Sequence, residues 1–362
     1  MLKRETAVIN KILSVSKTSV TAEVAFDDGS VAKACAYTAL FDRLEPGDRV
    51  LLNTTACRKS LGTGGMHFVI ANLSSPSGTS GADEGHIVKC RYTPVQHTVM
   101  SVEEQDSPWH GQLENACSLE GAAVICGQLH SQLAFLAAAL KELDPGSSLA
   151  YIMPDYSCLP IGFSRLAESL KRCGLVDNTV TCGQAFGGDY EAVNAFSAMV
   201  FARDVLKADY IAVIPGPGNA GTGTKLGFGS LDMAGVMNGA MALGAGVVCI
   251  PRICFADKRE RHAGLSHHTS TMLRLFTAPG VVVPVPVPDD PAKSEALKRQ
   301  INASGIGEKH RVLYSLCRAG EALLRQNSIK PSTMGHTFED TPEFFYASSA
   351  AAGAAVDIKR GK

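Results

Sequence analysis

The chain has 362 residues, of which 45% are hydrophobic and 19% are charged. This length is enough for two domains, and the hydrophobic share excludes intrinsic disorder for most of the chain. Lysine and arginine number 34 against 35 aspartate and glutamate residues. The chain therefore lacks the basic excess that is typical of a general nucleic-acid binder.

The sequence also bears on where the protein is located. The N-terminal residues MLKRETAVIN lack the apolar core of a signal peptide. No apolar run reaches the roughly 18 residues that a transmembrane helix needs. The 11 cysteines are scattered and form no CxxC pair, a pattern typical of reduced thiols rather than of a disulfide framework. We therefore expect a cytoplasmic protein without a membrane partner.

The first 73 residues have the pattern of short β-strands. Apolar residues tend to alternate with polar ones in five segments, at 7–15, 19–26, 30–37, 49–56 and 66–73. Asp27-Asp28-Gly29 separates the second segment from the third and is typical of a hairpin turn. Five strands at this spacing predict a small antiparallel barrel.

The next segment separates two regions of different pattern. Residues 74–85 are rich in serine and glycine, which is typical of a linker, and an extended connecting segment follows. The sequence therefore predicts a small β domain at 1–73, a linker and connecting segment at 74–117, and a second domain at 118–362.

The second domain alternates short apolar runs with stretches of helical length. The runs lie at 121–126, 149–154, 178–183, 209–215, 245–251, 280–288 and 310–315. The helical patterns lie at 129–143, 161–174, 189–208, 230–245, 268–276, 292–303, 318–327 and 341–355. This alternation predicts an α/β fold of the Rossmann-like kind, a doubly wound and mostly parallel sheet. Ligands bind beyond the carboxyl ends of the strands in such sheets, so we expect functional residues in the loops that follow the strands.

The loop after the run at 209–215 is rich in glycine. It reads Gly216-Pro217-Gly218-Asn219-Ala220-Gly221-Thr222-Gly223-Thr224-Lys225. Glycines at a strand end let backbone N–H groups approach an anion, while threonine hydroxyls and a lysine add further donors. The motif lies outside the first βα unit and is not a Walker A sequence, so the pattern predicts an anion site rather than a dinucleotide fingerprint. A tight glycine turn without a ligand is the alternative.

The loop after the run at 245–251 carries a dense group of charged residues and three histidines. Ser266 is placed to cap the helix that follows, which puts His267 and His268 in the first helical turn. The positive end of a helix dipole favours neutral imidazole, which a general base or a metal ligand requires. We predict that His262, His267 or His268 supplies the catalytic acid or base. A solvated charged loop is the alternative.

No metal is predicted at this histidine block. A metal site needs three or four ligands that converge on one ion, and Asp257 or Glu260 would have to complete it. Adjacent residues on a helix point about 100° apart, so His267 and His268 are not expected to ligate the same ion. The sequence identifies no cofactor.

Three further loops carry polar residues at predicted strand ends. Asp155 and Asp189 are candidates to hold a cation or a ribose hydroxyl, although Asp189 is equally placed to cap a helix. His130 is a candidate ligand residue or a buried structural histidine. The predicted ligand-binding residues are Gly216, Gly218, Asn219, Gly221, Thr222, Gly223, Thr224, Lys225, Asp155, Asp189, Arg259 and His130.

Four motifs together resemble a bacterial protein family of unknown function. They are the segments at 216–224 (GPGNAGTGT), 183–189 (GQAFGGD), 256–269 (ADKRERHAGLSHHT) and 91–96 (RYTPVQ). The resemblance covers nearly the whole chain, and Lys258 is one departure from the family pattern. The resemblance implies that these loops form one site, and it implies no particular activity.

Two functions remain open from the sequence. The first is an enzyme that acts on a small anionic or phosphorylated metabolite. The Gly-rich loop would hold this metabolite, and a histidine would act as the general acid or base. The second is a non-catalytic sensor or scaffold that binds a nucleotide or metabolite and contacts RNA or a protein through its β domain. We expect a small anionic ligand and no nucleic acid in the α/β site, and the sequence leaves a homo-oligomer open.

Overall fold

The computed structural model describes residues 1–41, 43–75 and 85–361. The chain divides into two compact units, Met1–Met100 with Pro160–Phe163 and Ser101–Leu159 with Ser164–Lys362. Most of the predicted linker, residues 76–84, lies outside the described residues. The domain boundaries at 73 and 118 stay predictions.

Five strands of the first unit form a closed barrel, as the sequence predicts. They are β1 (Arg4–Val15), β2 (Ser19–Phe26), β3 (Val31–Tyr37), β4 (Arg49–Asn53) and β5 (Met66–Asn72), in the order β1-β2-β3-β5-β4. Alternate residues such as Ala22 and Val24 are buried because side chains of a strand point to opposite faces in turn. One pair departs from the antiparallel expectation, since β3 runs parallel to β5.

Three short elements complete the first unit. Helix α1 (Thr55–Arg58) lies between β4 and β5 in sequence. Strands β6 (Ile87–Lys89) and β7 (His97–Val99) pair antiparallel with each other in a separate two-stranded sheet.

The second unit contains an eight-stranded sheet in which all neighbouring strands are parallel. Its strands are β8 (Ala123–Cys126), β9 (Leu149–Met153), β10 (Asn178–Cys182), β11 (Tyr190–Ala192), β12 (Tyr210–Val213), β13 (Gly246–Cys249), β16 (Val282–Pro286) and β17 (Arg311–Ser315). The strand order is β11-β10-β9-β12-β8-β13-β16-β17. Every residue of β8, β9 and β12 is buried, which explains why these strands are continuous apolar runs.

Helices and short hairpins surround this sheet. The helices are α2 (His110–Leu113), α3 (Gln132–Leu143), α4 (Arg165–Arg172), α5 (Ala195–Asp204), α6 (Met233–Ala242), α7 (His267–Thr271), α8 (Pro291–Ser304), α9 (Glu321–Gln326) and α10 (Pro342–Lys359). The hairpins are β14 (Ile253–Cys254) with β15 (Gly264–Leu265) and β18 (Ser332–Thr333) with β19 (His336–Thr337). Buried residues of α5, α6 and α8 share one core with the sheet, while α3 packs against α4, α9 and α10. The predicted doubly wound α/β fold is confirmed.

Two predicted helices differ from the structure. The helical pattern at 189–208 begins later, because Tyr190–Ala192 pairs with β10 as a strand and the Asn194 side chain caps α5 at Ala195. The interpretation of Asp189 as the helix cap is therefore wrong. The pattern at 268–276 is divided between α7 and a π-helical turn over Met272–Phe276.

The strand order determines which loops are neighbours. Strand β8 lies between β12 and β13, and all three are parallel. The loop after β12 is the Gly-rich loop, and the segment after β13 leads to the three histidines. Both therefore leave the same edge of the sheet, on the two sides of the loop that follows β8.

The cap of α5 gives a test of the local structure. The Asn194 side chain accepts hydrogen bonds from the backbone N–H groups of Phe196 (2.9 Å) and Ser197 (3.1 Å). We expect Asn194→Ala to lower the free energy of unfolding by about 1 kcal/mol in urea denaturation, because these N–H groups lose their acceptor. Asn194→Asp is the matched control and should retain most of the stability. Equal losses in the two variants would contradict the capping role.

Candidate functional site

The Gly-rich loop, defined here as residues 215–229, closes on itself through hydrogen bonds. Thr222 N–H donates to the Gly227 carbonyl at 2.8 Å, and Gly227 N–H donates to Thr224 Oγ1 at 3.0 Å. A side chain at Gly227 would place its Cβ 2.2 Å from Thr222 Oγ1, so only glycine fits there. The threonine hydroxyls that the sequence suggests as ligand donors thus make contacts within the loop, while Lys225 is exposed.

The beginning of this loop is packed tightly against neighbouring strand ends. A Cβ at Gly216 would lie 2.9 Å from Met153 Sδ and 3.1 Å from the Cys158 carbonyl oxygen, which excludes a side chain. Gly218 is exposed and has a φ of +90°, a conformation that glycine adopts without strain. The two positions therefore require glycine for different reasons, close approach and backbone conformation.

The three histidines, called here the histidine cluster (His262, His267 and His268), lie close together. Ring centroids are 5.0 Å apart for His262 and His267, 4.7 Å for His262 and His268, and 4.4 Å for the adjacent pair. One ring nitrogen from each residue lies within 4.8 Å of the other two. The two side chains thus bring their rings together although their Cα–Cβ bonds diverge. The expectation that His267 and His268 do not ligate the same ion stays a prediction.

The partners of the ring nitrogens differ among the three residues. His262 Nδ1 is 2.7 Å from Ser266 Oγ, and His268 Nδ1 is 3.3 Å from Nη1 of Arg252. Ser266 is the helix cap that the sequence predicts, and its Oγ also accepts from the His268 N–H. The buried Nε2 of His267 has no partner among the described residues.

Arginines and one carboxylate surround the cluster. Arg252 is only 4% exposed, and its Nη2 lies 3.4 Å from Asp257 Oδ2. Arg259 donates from Nε and Nη2 to the two oxygens of Asp257, at 2.9 and 2.7 Å. The hydrogen bonds from Arg259 hold the pKa of Asp257 well below its usual range, and burial lowers the pKa of Arg252 to about 10 against the opposing charge of Asp257.

These surroundings keep the imidazoles neutral at pH 7. Burial and then the positive charges of Arg252 and Arg259 lower the pKa of His262 to about 4. Burial and then Arg252 lower the pKa of His268 to about 3. The pKa of His267 is lowered too, by burial and then by Arg261. The imidazoles are therefore neutral, as the sequence predicts. The causes are burial and the charge of nearby arginines, whereas the sequence argument relied on the helix dipole.

The Gly-rich loop and the histidine cluster are in direct contact. The Phe228 and His268 rings stack with centroids 3.9 Å apart and planes 6° from parallel. A Cβ at Gly221 would lie 3.5 Å from His268 Cε1, and one at Gly223 would lie 3.3 Å from an Arg261 Nη2. The Gly-rich loop and the histidine cluster therefore line one region, as the family resemblance implies.

Gln128, after β8, joins the two loops. Its backbone carbonyl accepts from Asn219 Nδ2 at 3.3 Å, and its side-chain Nε2 donates to Thr269 Oγ1 at 2.9 Å. Thr269 Oγ1 also accepts from the Arg252 N–H at 2.9 Å. Gln128 is buried, so these hydrogen bonds position the two loops from the interior of the unit rather than from its solvent-exposed surface.

His130 borders the start of the Gly-rich loop, whereas Asp155 bonds to the loop that follows β10. His130 contacts Ser164 Oγ (2.5 Å) and the Tyr151 hydroxyl (3.3 Å), and burial lowers its pKa to about 4 while a hydrogen bond with Pro215 opposes this shift. Asp155 accepts from the Gln184 N–H at 2.8 Å. Gly183, at a φ of +67°, leaves room for that carboxylate, because a Cβ there would lie 2.4 Å from Asp155 Oδ2.

Asp189 lies elsewhere. Its Oδ2 accepts from the N–H and hydroxyl of Thr179, at 2.9 and 2.8 Å, and forms an ion pair with Lys171 at 2.7 Å. Thr179 is near the amino end of β10, whereas the Gly-rich loop and Asp155 follow carboxyl ends. Asp189 therefore stabilises the fold at the opposite edge of the sheet.

Three residues of the site were not singled out by the sequence analysis. They are Arg252, Phe228 and the side chain of Gln128. For Arg252 a signal was available, since it is a single charge within the apolar run at 247–255, and an arginine is rarely buried without a partner. Phe228 and Gln128 carry no comparable signal, because an aromatic residue and a glutamine are ordinary in loops.

Comparison with known protein families identifies the family of the chain. A family described as "Protein of unknown function (DUF3866)" matches residues 33–352. The chain belongs to this family. The match spans the Gly-rich loop, the histidine cluster and Gln128, and it confirms the resemblance to a family without an assigned activity. No curated protein matches the chain.

In residues 1–41, 43–75 and 85–361, no helix has the combination of length and hydrophobicity that crossing a membrane requires.

The structural role of Asp189 can be tested through pH. Burial would raise the pKa of Asp189, but the contacts with Lys171 and Thr179 outweigh it, so the pKa is lowered from the ordinary value of 3.8. The ionised carboxylate therefore contributes stability above about pH 4, and that contribution is lost as the pH falls. We expect Asp189→Asn to lower the free energy of unfolding by about 1 kcal/mol at pH 7.

The difference between the two proteins should shrink as the pH falls below 4 in thermal or urea unfolding. Phosphate binding, measured by calorimetry at pH 7, should not change in the Asn variant. A variant with normal stability and impaired binding would instead place Asp189 in the ligand site.

Proposed function

We propose that the chain is an enzyme that carries out acid–base chemistry on a small anionic substrate held between the Gly-rich loop and the histidine cluster. The observation that carries this proposal is the contact between the two motifs, in which Phe228 stacks on His268 and Gly221 faces the same ring. A glycine-rich loop whose residues are mostly exposed thus adjoins three groups that accept or donate protons.

The charge of the region favours an anion. Residues 215–229 and 252–269 together contain five cationic side chains, Lys225, Arg252, Lys258, Arg259 and Arg261, against the two carboxylates Asp257 and Glu260. One of those carboxylates, Asp257, is already paired with Arg259. Arg261 is exposed beside Gly223, where its guanidinium is available to a ligand oxygen.

The histidine cluster supports catalysis rather than binding alone. A site that only positions an anion needs fixed donors, and arginines and backbone N–H groups supply them. Three buried or half-buried imidazoles add groups that take up a proton from a substrate and return it. His262 is the favoured acid–base residue, because Ser266 orients its ring through Nδ1 and Nε2 remains for the substrate.

Steric blocking tests where the anion binds. Gly221 is exposed, and its φ is outside the left-handed region, so a side chain there adds no backbone strain. A Cβ would make an ordinary contact with His268 at 3.5 Å, whereas a leucine would extend over the ring. We expect Gly221→Leu to weaken the binding of inorganic phosphate at least tenfold by calorimetry, and the matched Gly221→Ala to change it little. Equal affinities in the two variants would show that the anion binds elsewhere.

Turnover distinguishes the enzyme from a sensor. If the protein is an enzyme, it should convert a member of a pool of small phosphorylated metabolites, and ³¹P nuclear magnetic resonance spectra should show new phosphorus signals. We expect His262→Gln to slow that conversion about 10²- to 10⁴-fold, the usual contribution of a general acid or base, while phosphate affinity stays within a few-fold. His110→Gln, on helix α2, is the control and should retain full activity.

Binding of a metabolite without conversion by the wild-type protein would favour the sensor instead. Loss of both binding and folding in His262→Gln would show that this residue is a structural element of the core.

A further inference from the structure

We infer that Arg252 fixes His268 in the tautomer that carries its proton on Nε2, which makes His268 the hydrogen-bond donor of the site rather than its base or a metal ligand. This assignment of roles within the histidine cluster rests on the proposed function for its substrate, an oxyanion. The tautomer itself can be measured without any substrate.

The argument begins from the chemistry of the guanidinium group. Arg252 Nη1 lies 3.3 Å from His268 Nδ1, and a guanidinium offers N–H donors and no acceptor. Nδ1 must therefore present its lone pair to Arg252. A neutral imidazole has one N–H, so the proton of His268 is on Nε2.

Arg252 is held in a position to impose this choice. Its side chain is buried, its Nη2 faces Asp257 and Met334 Sδ, and its backbone N–H donates to Thr269 Oγ1. The segment that carries Arg252 is thereby tied to the helix that carries His268. A buried arginine with these contacts has little freedom to turn away from the ring.

The ring of His268 is held as well. Phe228 stacks on one face at 3.9 Å, and the Ser266 cap fixes the backbone N–H of His268. Nε2 has no hydrogen-bond partner among the described residues, and it faces the Gly-rich loop, 3.9 Å from the position of a Cβ on Gly221. The donor thus lies beside Gly221, in the loop that the proposed anion site requires.

This arrangement separates the roles of the three histidines. His268 donates a hydrogen bond to an oxygen of the substrate, together with Arg261 and the loop. His262 has its Nδ1 on Ser266 and is left with Nε2 for proton transfer. Although one nitrogen from each of the three rings lies within 4.8 Å of the others, a protonated Nε2 and an Nδ1 that faces a guanidinium leave His268 without a lone pair for a metal ion.

The tautomer can be read directly in the wild-type protein. The chain contains 10 histidines, so long-range ¹H–¹⁵N correlation spectra of protein labelled at histidine nitrogens are tractable. We expect the His268 signals, assigned by their loss in His268→Gln, to show a protonated Nε2 and an unprotonated Nδ1 at pH 7. A proton on Nδ1 would overturn the assignment.

Variants of Arg252 test the cause. Arg252→Met should give His268 a mixture of tautomers, while Arg252→Lys, which keeps a cationic donor, should restore the Nε2–H form. Because the Met variant also leaves Asp257 with Arg259 alone, its folding is checked by thermal unfolding before the spectra are compared. Unchanged His268 signals in a folded Met variant would overturn the role of Arg252.

Substitutions of His268 test the donor. The amide N–H of Gln reaches the position of Nε2, whereas that of Asn reaches only the position of Nδ1. We therefore expect His268→Gln to bind inorganic phosphate within a few-fold of wild type and His268→Asn to bind it about tenfold more weakly. Equal affinities of these two variants in the presence of normal wild-type binding would overturn the donor role.

Two further outcomes separate this inference from the proposed function. A proton on Nε2 without any phosphate binding would contradict the proposed function and leave the role of Arg252 intact. Visible absorption of bound Co²⁺ that disappears in His268→Gln would identify His268 as a metal ligand and overturn the inference.

Discussion

The position of β8 between β12 and β13 is the constraint on which the site depends. Since the three strands are parallel, their carboxyl ends meet at one edge of the sheet, and the loops that leave them are neighbours. The loop after β12 supplies backbone amides and the segment after β13 supplies the histidines. These two segments together span about 50 residues of sequence. Gln128, in the loop between them, bonds to both. Without this strand order the two motifs would be separate features of the surface.

Much of the architecture could be predicted from local patterns. The apolar runs that become β8, β9 and β12 are buried along their whole length, so composition alone marks them as strands of a covered parallel sheet. The period of two in the first 73 residues marks the barrel in the same way. The order of the strands could not be predicted, because pairing depends on contacts between distant segments. The parallel β3–β5 pair has the same origin.

In the candidate site, too, local features could be predicted from the sequence and contacts between distant segments could not. Glycine content, the serine cap and the histidine block are local features, and the sequence indicates each of them. Arg252 shows what the sequence hides, since its importance lies in the distance to a ring 16 residues further on. The direction of the His267 and His268 side chains was also beyond a helical-wheel argument, because that argument follows the Cα–Cβ bond and ignores the rotamers. Asp189 was misassigned for the opposite reason, since its loop follows a strand while its carboxylate returns to the beginning of that strand.

The π-helical turn over Met272–Phe276 has a consequence for insertions and deletions. A residue added to an α-helix rotates everything beyond it by about 100°, but a π turn absorbs the extra residue locally. The turn ends at Thr277, whose hydroxyl donates to the Met272 carbonyl. The orientation of the histidines before the turn is therefore not fixed by the number of residues within it. A one-residue deletion inside the turn would return it to α-helical geometry and leave the histidines in register with the core, so this segment tolerates a change in length that an α-helix does not.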